Sequence, residues 1–139
     1  MTEAVAPKVL LDTHAMLWLT SESPRLGRRA RQLAMGALAE QRLCVSVVSF
    51  WELALLMLRG RVESAVNPAA ARGEILGTGI QELALTGPAA VLSATLDLHP
   101  DPADRFISAT AVVHDAMLIT ADERLLGWRH PLKRHDARR

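Results

Sequence analysis

The sequence predicts an α/β fold: a mostly parallel sheet of four to five strands with helices on both faces, a three-layer α/β/α sandwich. Two observations predict it. Short apolar runs alternate with helical patterns along the chain, which argues for parallel strands joined by right-handed helical crossovers. The 139 residues are one domain's worth, and 50% of them are hydrophobic, enough for a real core. Open parallel sheets bind ligands beyond the carboxyl ends of their strands, which gives a test for every acidic residue: whether it falls at such an end.

The elements follow in order. Residues 8–11, KVLL, form a buried strand that ends at Asp12, and THAMLWL continues as a short helix. SPRLGRRARQLAMGALAEQ carries Pro24 at a first helical position, with Leu26, Ala30, Leu33, Ala34, Ala37 and Leu38 along one face. Residues 43–48, LCVSVV, form a second strand, and SFWELALLMLRG a helix so apolar that it should be deeply packed, stopped by Gly60. Asn67-Pro68 starts another helix, IQELAL forms a third strand, and GPAAVLSATLDL is helical. Asp101-Pro102 opens the helix ADRFISATAVVHD, which leads to a fourth strand, MLIT. ADERLLGW is a short helix, and the basic tail RHPLKRHDARR has room for a short fifth strand. A single domain over residues 1–139 is expected, with flexible tails at 1–7 and about 136–139.

Composition narrows the function. A formal charge of +1 gives no strong bulk attraction to polyanions, although the basic residues are mostly arginine, which suits phosphate contacts. The lone Cys44 excludes an intramolecular disulfide and a cysteine-rich zinc site. The longest apolar run, residues 43–58, is too short to span a membrane and carries Glu52. With a polar start unlike a signal peptide, these features predict a soluble, cytoplasmic protein.

Glu52 is a puzzle in that run. Its helical neighbours are Leu55 and Leu56, and the nearest arginine, Arg59, lies about 10 Å further along the axis. Glu52 falls in the first turn of the helix after the second strand, and three more acids stand beside strand ends or helix starts, Asp104 reaching the same edge only if the 99–104 connection crosses it. Asp12 ends the first strand, Asp122 follows the fourth, and Asp104 sits in the first turn of the helix before it. Capping explains each alone: Ser49-x-x-Glu52 is a formal capping box, Asp101 and Asp122 are N-caps, and Asp104 takes the third helical position. Capping does not explain the set. Carboxylates gathered at one edge repel, which raises their pKa values or demands a cation. Four carboxylates without cysteines or paired histidines suit Mg²⁺ or Mn²⁺ rather than zinc.

The motifs LLDTHAMLWL, VSVVSFWELALL-(x)-LRGR, HPDPADRFISATA and LITADERL, in this order, resemble PIN-domain ribonucleases, and among them the VapC-type toxins of bacterial toxin–antitoxin pairs. The likeness runs from about Val9 to Leu126. It implies a PIN-like sandwich, and it implies that Asp12, Glu52, Asp104 and Asp122 are catalytic and bind Mg²⁺ or Mn²⁺, with Asp12 and Asp104 the most direct ligands. Thr120 matches a position that orders the site. The resemblance further implies hydrolysis of RNA phosphodiesters to 5′-phosphate and 3′-hydroxyl ends. It implies a cognate antitoxin that blocks the cleft, a homodimer, and room for a larger toxin–antitoxin assembly.

Other residues are weaker candidates. His14 could be a base but more often packs or caps. Arg105 could hold a carboxylate or contact a phosphate. His99 and Asp101 read as a turn before their helix. Trp18, Trp51 and Phe106 read as core. Arg25, Arg28, Arg29 and Arg31 read as a basic helix face that RNA backbone could follow. Two other functions compete with the nuclease: a phosphohydrolase using an aspartyl-phosphate, disfavoured by His14 where a second Asp is usual, and a non-enzymatic ion-regulated or RNA-binding module.

Overall fold

The structure, a computed structural model, describes residues 6–62 and 66–139. Five strands form one sheet in the order β3-β2-β1-β4-β5, every pair parallel. They are β1 (Val9–Leu11), β2 (Leu43–Ser46), β3 (Gln81–Leu83), β4 (Met117–Thr120) and β5 (Arg134–Asp136). The helices are α1 (Thr13–Thr20), α2 (Arg28–Ala39), α3 (Val47–Leu58), α4 (Pro68–Gly77), α5 (Gly87–Thr95), α6 (Pro102–Val113) and α7 (Glu123–Leu126).

The three central strands, β1, β2 and β4, are largely apolar and buried on both faces, and successive side chains point opposite ways. Val9, Leu11, Val45 and Ile119 pack with Ala15, Met16, Ala30, Ala34 and Ala37 of α1 and α2. Leu10, Cys44 and Leu118 face the other way, against Ala103, Ile107 and Ala111 of α6 and Leu125 of α7. The sandwich follows from that two-sided apolarity. β1 is central, and the chain builds β2 and β3 on one side of it before crossing to β4 and β5 on the other. The order therefore reverses between β1 and β4, where such sheets bind ligands. Leu11 pairs with Ile119 there, and the Asp12 N–H donates to the Ile119 carbonyl at 3.0 Å.

Several expectations need correction. α2 starts at Arg28, and Pro24 lies in the preceding turn. Its cap, Gly27, has no side chain to offer, so remote carbonyls do the capping: Gly27 N–H donates to Ala137 at 2.7 Å and Ala30 N–H to Arg139 at 3.0 Å. For the same reason residues 136–139 are no loose tail; Ala137 is buried. At the other end, residues 1–5 lie outside the described residues, and the Pro7 carbonyl accepts from Arg42 at 2.5 Å.

β2 ends at Ser46, and the Ser46 hydroxyl caps α3 by accepting from the Val48 N–H at 3.1 Å. Ser49 is thus inside the helix, the capping box does not form, and Glu52 falls in the second turn. Nor is α3 deeply packed: Trp51 is 56% and Leu58 78% exposed, because only one side of the helix meets the sheet layers.

A Cβ added at Gly27 would lie 2.2 Å from the Arg139 backbone. Gly27→Ala should therefore cost about 1–3 kcal/mol by overpacking, read as a lower midpoint in thermal or denaturant unfolding. An unchanged midpoint would show that the end of the chain does not seat on α2.

Candidate active site

The carboxyl ends of β1, β2 and β4 deliver acids to one hollow. Asp12 follows β1 as the N-cap of α1, its Oδ1 accepting from the Ala15 N–H at 2.9 Å. Asp122 follows β4 and caps α7, its Oδ1 accepting from the Arg124 N–H at 2.8 Å. Asp104 takes the third position of α6, behind the Asp101 cap. Glu52 reaches in from α3. All four line one cavity of about 320 Å³, together with Thr13, His14, Trp18, Asp101, Ala121 and Arg124.

Hydroxyls organise the rim. Thr120, fully buried at the end of β4, accepts from the Asp122 N–H at 3.0 Å and hydrogen-bonds the Asp12 carboxylate, so one side chain ties two acids together. Thr13 answers the puzzle of Glu52. Its hydroxyl donates to Glu52 Oε1 and lies 3.0 Å from the Ser49 hydroxyl. The partner is thus a neutral hydroxyl from α1, brought in by the fold.

The charges are crowded. Burial pushes the Asp12 carboxyl up from its ordinary value, against the hydrogen bonds from Thr120 and Ala15. Burial also raises Glu52, with Asp101 and Asp12 adding repulsion. Asp104 is pushed up to about 8, first by burial and then by Asp101 and Asp122. Burial works the same way on Asp122, but the Arg124 hydrogen bonds outweigh it and hold that carboxyl below its ordinary value. Asp104 thus keeps a proton that Asp122 gives up, as expected of two adjacent carboxyls.

Two residues belong here that the sequence reading passed over. His99 Nε2 lies 3.3 Å from Asp104 Oδ2 and 3.8 Å from Asp122 Oδ2. Arg124 Nη2 lies 3.1 Å from Asp122 Oδ2 and 3.8 Å from Asp104 Oδ2, on a side chain 61% exposed. Both stood inside the recognised motifs, His99 as a presumed turn residue and Arg124 beside Asp122. Asp101 combines its capping role with a place on the cavity wall.

Arg105 is corrected in the other direction, since it touches neither an acid nor the cavity. Its guanidinium donates to the carbonyls of Ser93 (2.9 Å), Leu96 (3.0 Å) and Leu98, because those residues leave α5 in a turn whose carbonyls need donors. His14 is exposed at the cavity mouth, its ring 6.3 Å from that of Trp18. Trp18 is half-buried and lines the cavity, Phe106 packs in the core, and Trp51 is exposed rather than core. Of the four arginines expected on one helix, Arg28, Arg29 and Arg31 lie on α2 and Arg25 precedes it.

The donor set fits a hard divalent ion. Oxygen ligands dominate, burial and mutual repulsion raise Asp12, Glu52 and Asp104 above the ordinary carboxyl range, and the Arg124 guanidinium beside them is mostly exposed. Among the described residues, the ligand atoms that converge within 4.8 Å of one another are those of His99, Asp104 and Asp122. Asp12 and Glu52 share the cavity but stand outside that trio.

Residues 9–127 match the PIN domain family. The chain belongs to it. Ribonuclease VapC22 of Mycobacterium tuberculosis is 35% identical over 125 residues, covering 88% of this PIN-domain chain and 93% of the relative. Among solved structures, VapBC2 from Rickettsia felis bound to a promoter DNA fragment superposes with a TM-score of 0.65 at 15% identity, over 91% of this chain and 96% of that one. DNA-bound VapBC from Salmonella typhimurium gives 0.65 at 17% identity, over 94% and 98%. At such identities these two speak for the PIN fold alone.

Folding raises the Asp104 pKa from 3.8 to about 8, so the metal-free folded chain holds a proton that the unfolded chain releases. Its contribution to stability is complete below pH 3.8 and is lost as pH climbs through about 8. Asp104→Asn should remove that loss: in EDTA its melting temperature should equal or exceed wild type near pH 8, with the advantage shrinking towards pH 4. A clear deficit at pH 8 would make Asp104 a structural residue. Separately, Arg105→Met should cost about 2–4 kcal/mol by stranding carbonyls, measured by urea unfolding; a loss below about 0.5 kcal/mol would show that the clamp is dispensable.

Proposed function

We propose that this PIN domain is a metal-dependent endoribonuclease, the toxin of a toxin–antitoxin pair. The observation that carries the reading is the meeting of Asp12, Glu52, Asp104 and Asp122 around one cavity at the sheet's switch point. The relative named as a ribonuclease, 35% identical along nearly its whole length, supports RNA as the substrate.

Asp12, Asp104, Glu52 and Asp122 would hold Mg²⁺ or Mn²⁺, with Thr120 fixing two of them. Such an ion supplies charge neutralisation at a phosphoryl group and a more acidic water. The protein side of the work is positional. Thr13 orients Glu52, and the caps of α1 and α7 hold Asp12 and Asp122 still. Arg124, exposed at the rim, is free to exchange an Asp122 oxygen for a phosphate oxygen. Exposed Arg28 and Arg29 on α2 offer backbone contacts further out. The products in this reading are 5′-phosphate and 3′-hydroxyl ends.

An antitoxin partner is supported by a long groove of about 870 Å³ lined by Leu17, Leu53, Leu56, Met57 and Ile75, which shares His14 and Trp18 with the acidic cavity. A segment seated there would reach the cavity mouth. The exposed Trp51 and Leu58 on α3 support a second protein contact, as in a homodimer. Among the described residues no helix is long and apolar enough to cross a membrane, and the cytoplasm is the compartment in this reading.

Labelled structured RNA incubated with the purified chain should be cut with Mg²⁺ or Mn²⁺ and not in EDTA. Asp12→Asn, whose amide oxygen still caps α1, and Asp104→Asn should each lose at least about a hundredfold in rate while remaining folded. Undiminished cutting by both would place the activity elsewhere. Ion binding without cutting of any tested RNA would favour a non-enzymatic ion-regulated module.

A further inference from the structure

We propose that His99 Nε2 is a ligand of the divalent ion in this cavity, and that this nitrogen makes the site prefer Mn²⁺ to Mg²⁺. The inference rests on the metal-dependent reading above and adds a residue and a selectivity to it.

His99 is the odd group of the site. Its side chain is only 10% exposed, yet neither ring nitrogen makes a hydrogen bond among the described residues. A buried ring whose nitrogens make no hydrogen bond is costly and uncommon, so its placement calls for a reason. Nε2 is aimed at the acids, 3.3 Å from Asp104 Oδ2 and 3.8 Å from Asp122 Oδ2. Ligand atoms about 2.1 Å from one ion are about 3.0 Å apart at right angles and about 4.2 Å apart when opposite. Both observed separations fall between those limits.

The loop that carries His99 is also held. Arg105, one residue after Asp104, grips the carbonyls of Ser93, Leu96 and Leu98, the last of them adjacent to His99. One helix start therefore supplies an acid ligand and anchors the segment that brings the imidazole to it. Arg124 is the group that must give way, and its mostly exposed side chain can swing outward.

The ligand type sets the preference. Mg²⁺ takes oxygen almost exclusively, keeps its waters and demands near-ideal octahedral geometry. Affinity for sites that contain nitrogen rises along the first-row divalent ions, a series that begins at Mn²⁺ and to which Mg²⁺ does not belong. A buried imidazole among carboxylates therefore helps Mn²⁺ and does little for Mg²⁺.

The test uses the full chain, stripped of metal and titrated with Mn²⁺, with Mg²⁺ measured by competition. Pulsed electron paramagnetic resonance of the Mn²⁺ complex reads nitrogen coupling directly. Wild type and His14→Gln should show ¹⁴N coupling, replaced by ¹⁵N on labelling with ¹⁵N-histidine, and His99→Gln should lose it. His99→Gln should also weaken Mn²⁺ binding by about tenfold or more while changing Mg²⁺ binding by less than about threefold. If His99→Gln fails to fold, coupling that persists in His14→Gln and moves to ¹⁵N in the labelled protein still assigns the nitrogen, since these are the two histidines beside the cavity acids. Coupling that survives in His99→Gln, or vanishes in His14→Gln, overturns the proposal. So does a wild-type Mn²⁺ complex without nitrogen coupling whose affinity still depends on Asp104; that result leaves the acidic metal centre standing. Failure to bind Mn²⁺ at all, or equal binding by Asp104→Asn, removes the metal centre itself.

Discussion

Negative charge gathered in a small hollow between the ends of β1 and β4 is the constraint on which the rest of this molecule turns. Asp12, Glu52, Asp104 and Asp122 line one cavity, and three of the four hold their protons more tightly than free carboxyls do. A fold optimised only for stability would not keep them together, because repulsion and burial act in the same direction. The surrounding structure supplies what holds them: a parallel sheet that turns the carboxyl ends of its strands to one edge, and caps that give Asp12 and Asp122 a second use.

That second use explains how the site tolerates its charge. Asp12 and Asp122 each accept a backbone N–H at a helix start, where the helix dipole favours an anion. Thr120 and Thr13 contribute hydroxyls from β4 and α1. Asp12, Asp122 and Glu52 are thus tied into the scaffold and leave acceptor capacity for something else, since a carboxylate has about four lone-pair sites. Arg105 plays the complementary part outside the cavity, holding the turn after α5 against the start of α6.

Much of this was legible from the chain alone. Apolar runs alternating with helical patterns are a local signal, and they were enough for the layered α/β fold, the strand–helix order and the caps at Asn67, Asp101 and Asp122. The placing of Asp12, Asp104 and Asp122 beside strand ends or helix starts was equally local, because a parallel sheet sends all its carboxyl ends to one edge.

Tertiary structure decided everything that depends on which distant groups meet. Gly27 caps α2 with carbonyls from residues 137 and 139, so the helix start and the fate of the last residues were set by one another. Glu52 found its partner in Thr13, 39 residues away, and His99, in the segment between α5 and α6, met Asp122 beyond the end of β4. Trp51 and Leu58 are exposed although their helix reads as core, because periodicity counts apolar residues without knowing how many neighbours will cover them. The sequence by itself determined which residues are apolar, which begin helices and which acids stand at strand ends, since those depend on near neighbours. Pairings across the fold depend on crossovers and layer packing, and only the folded chain settles them.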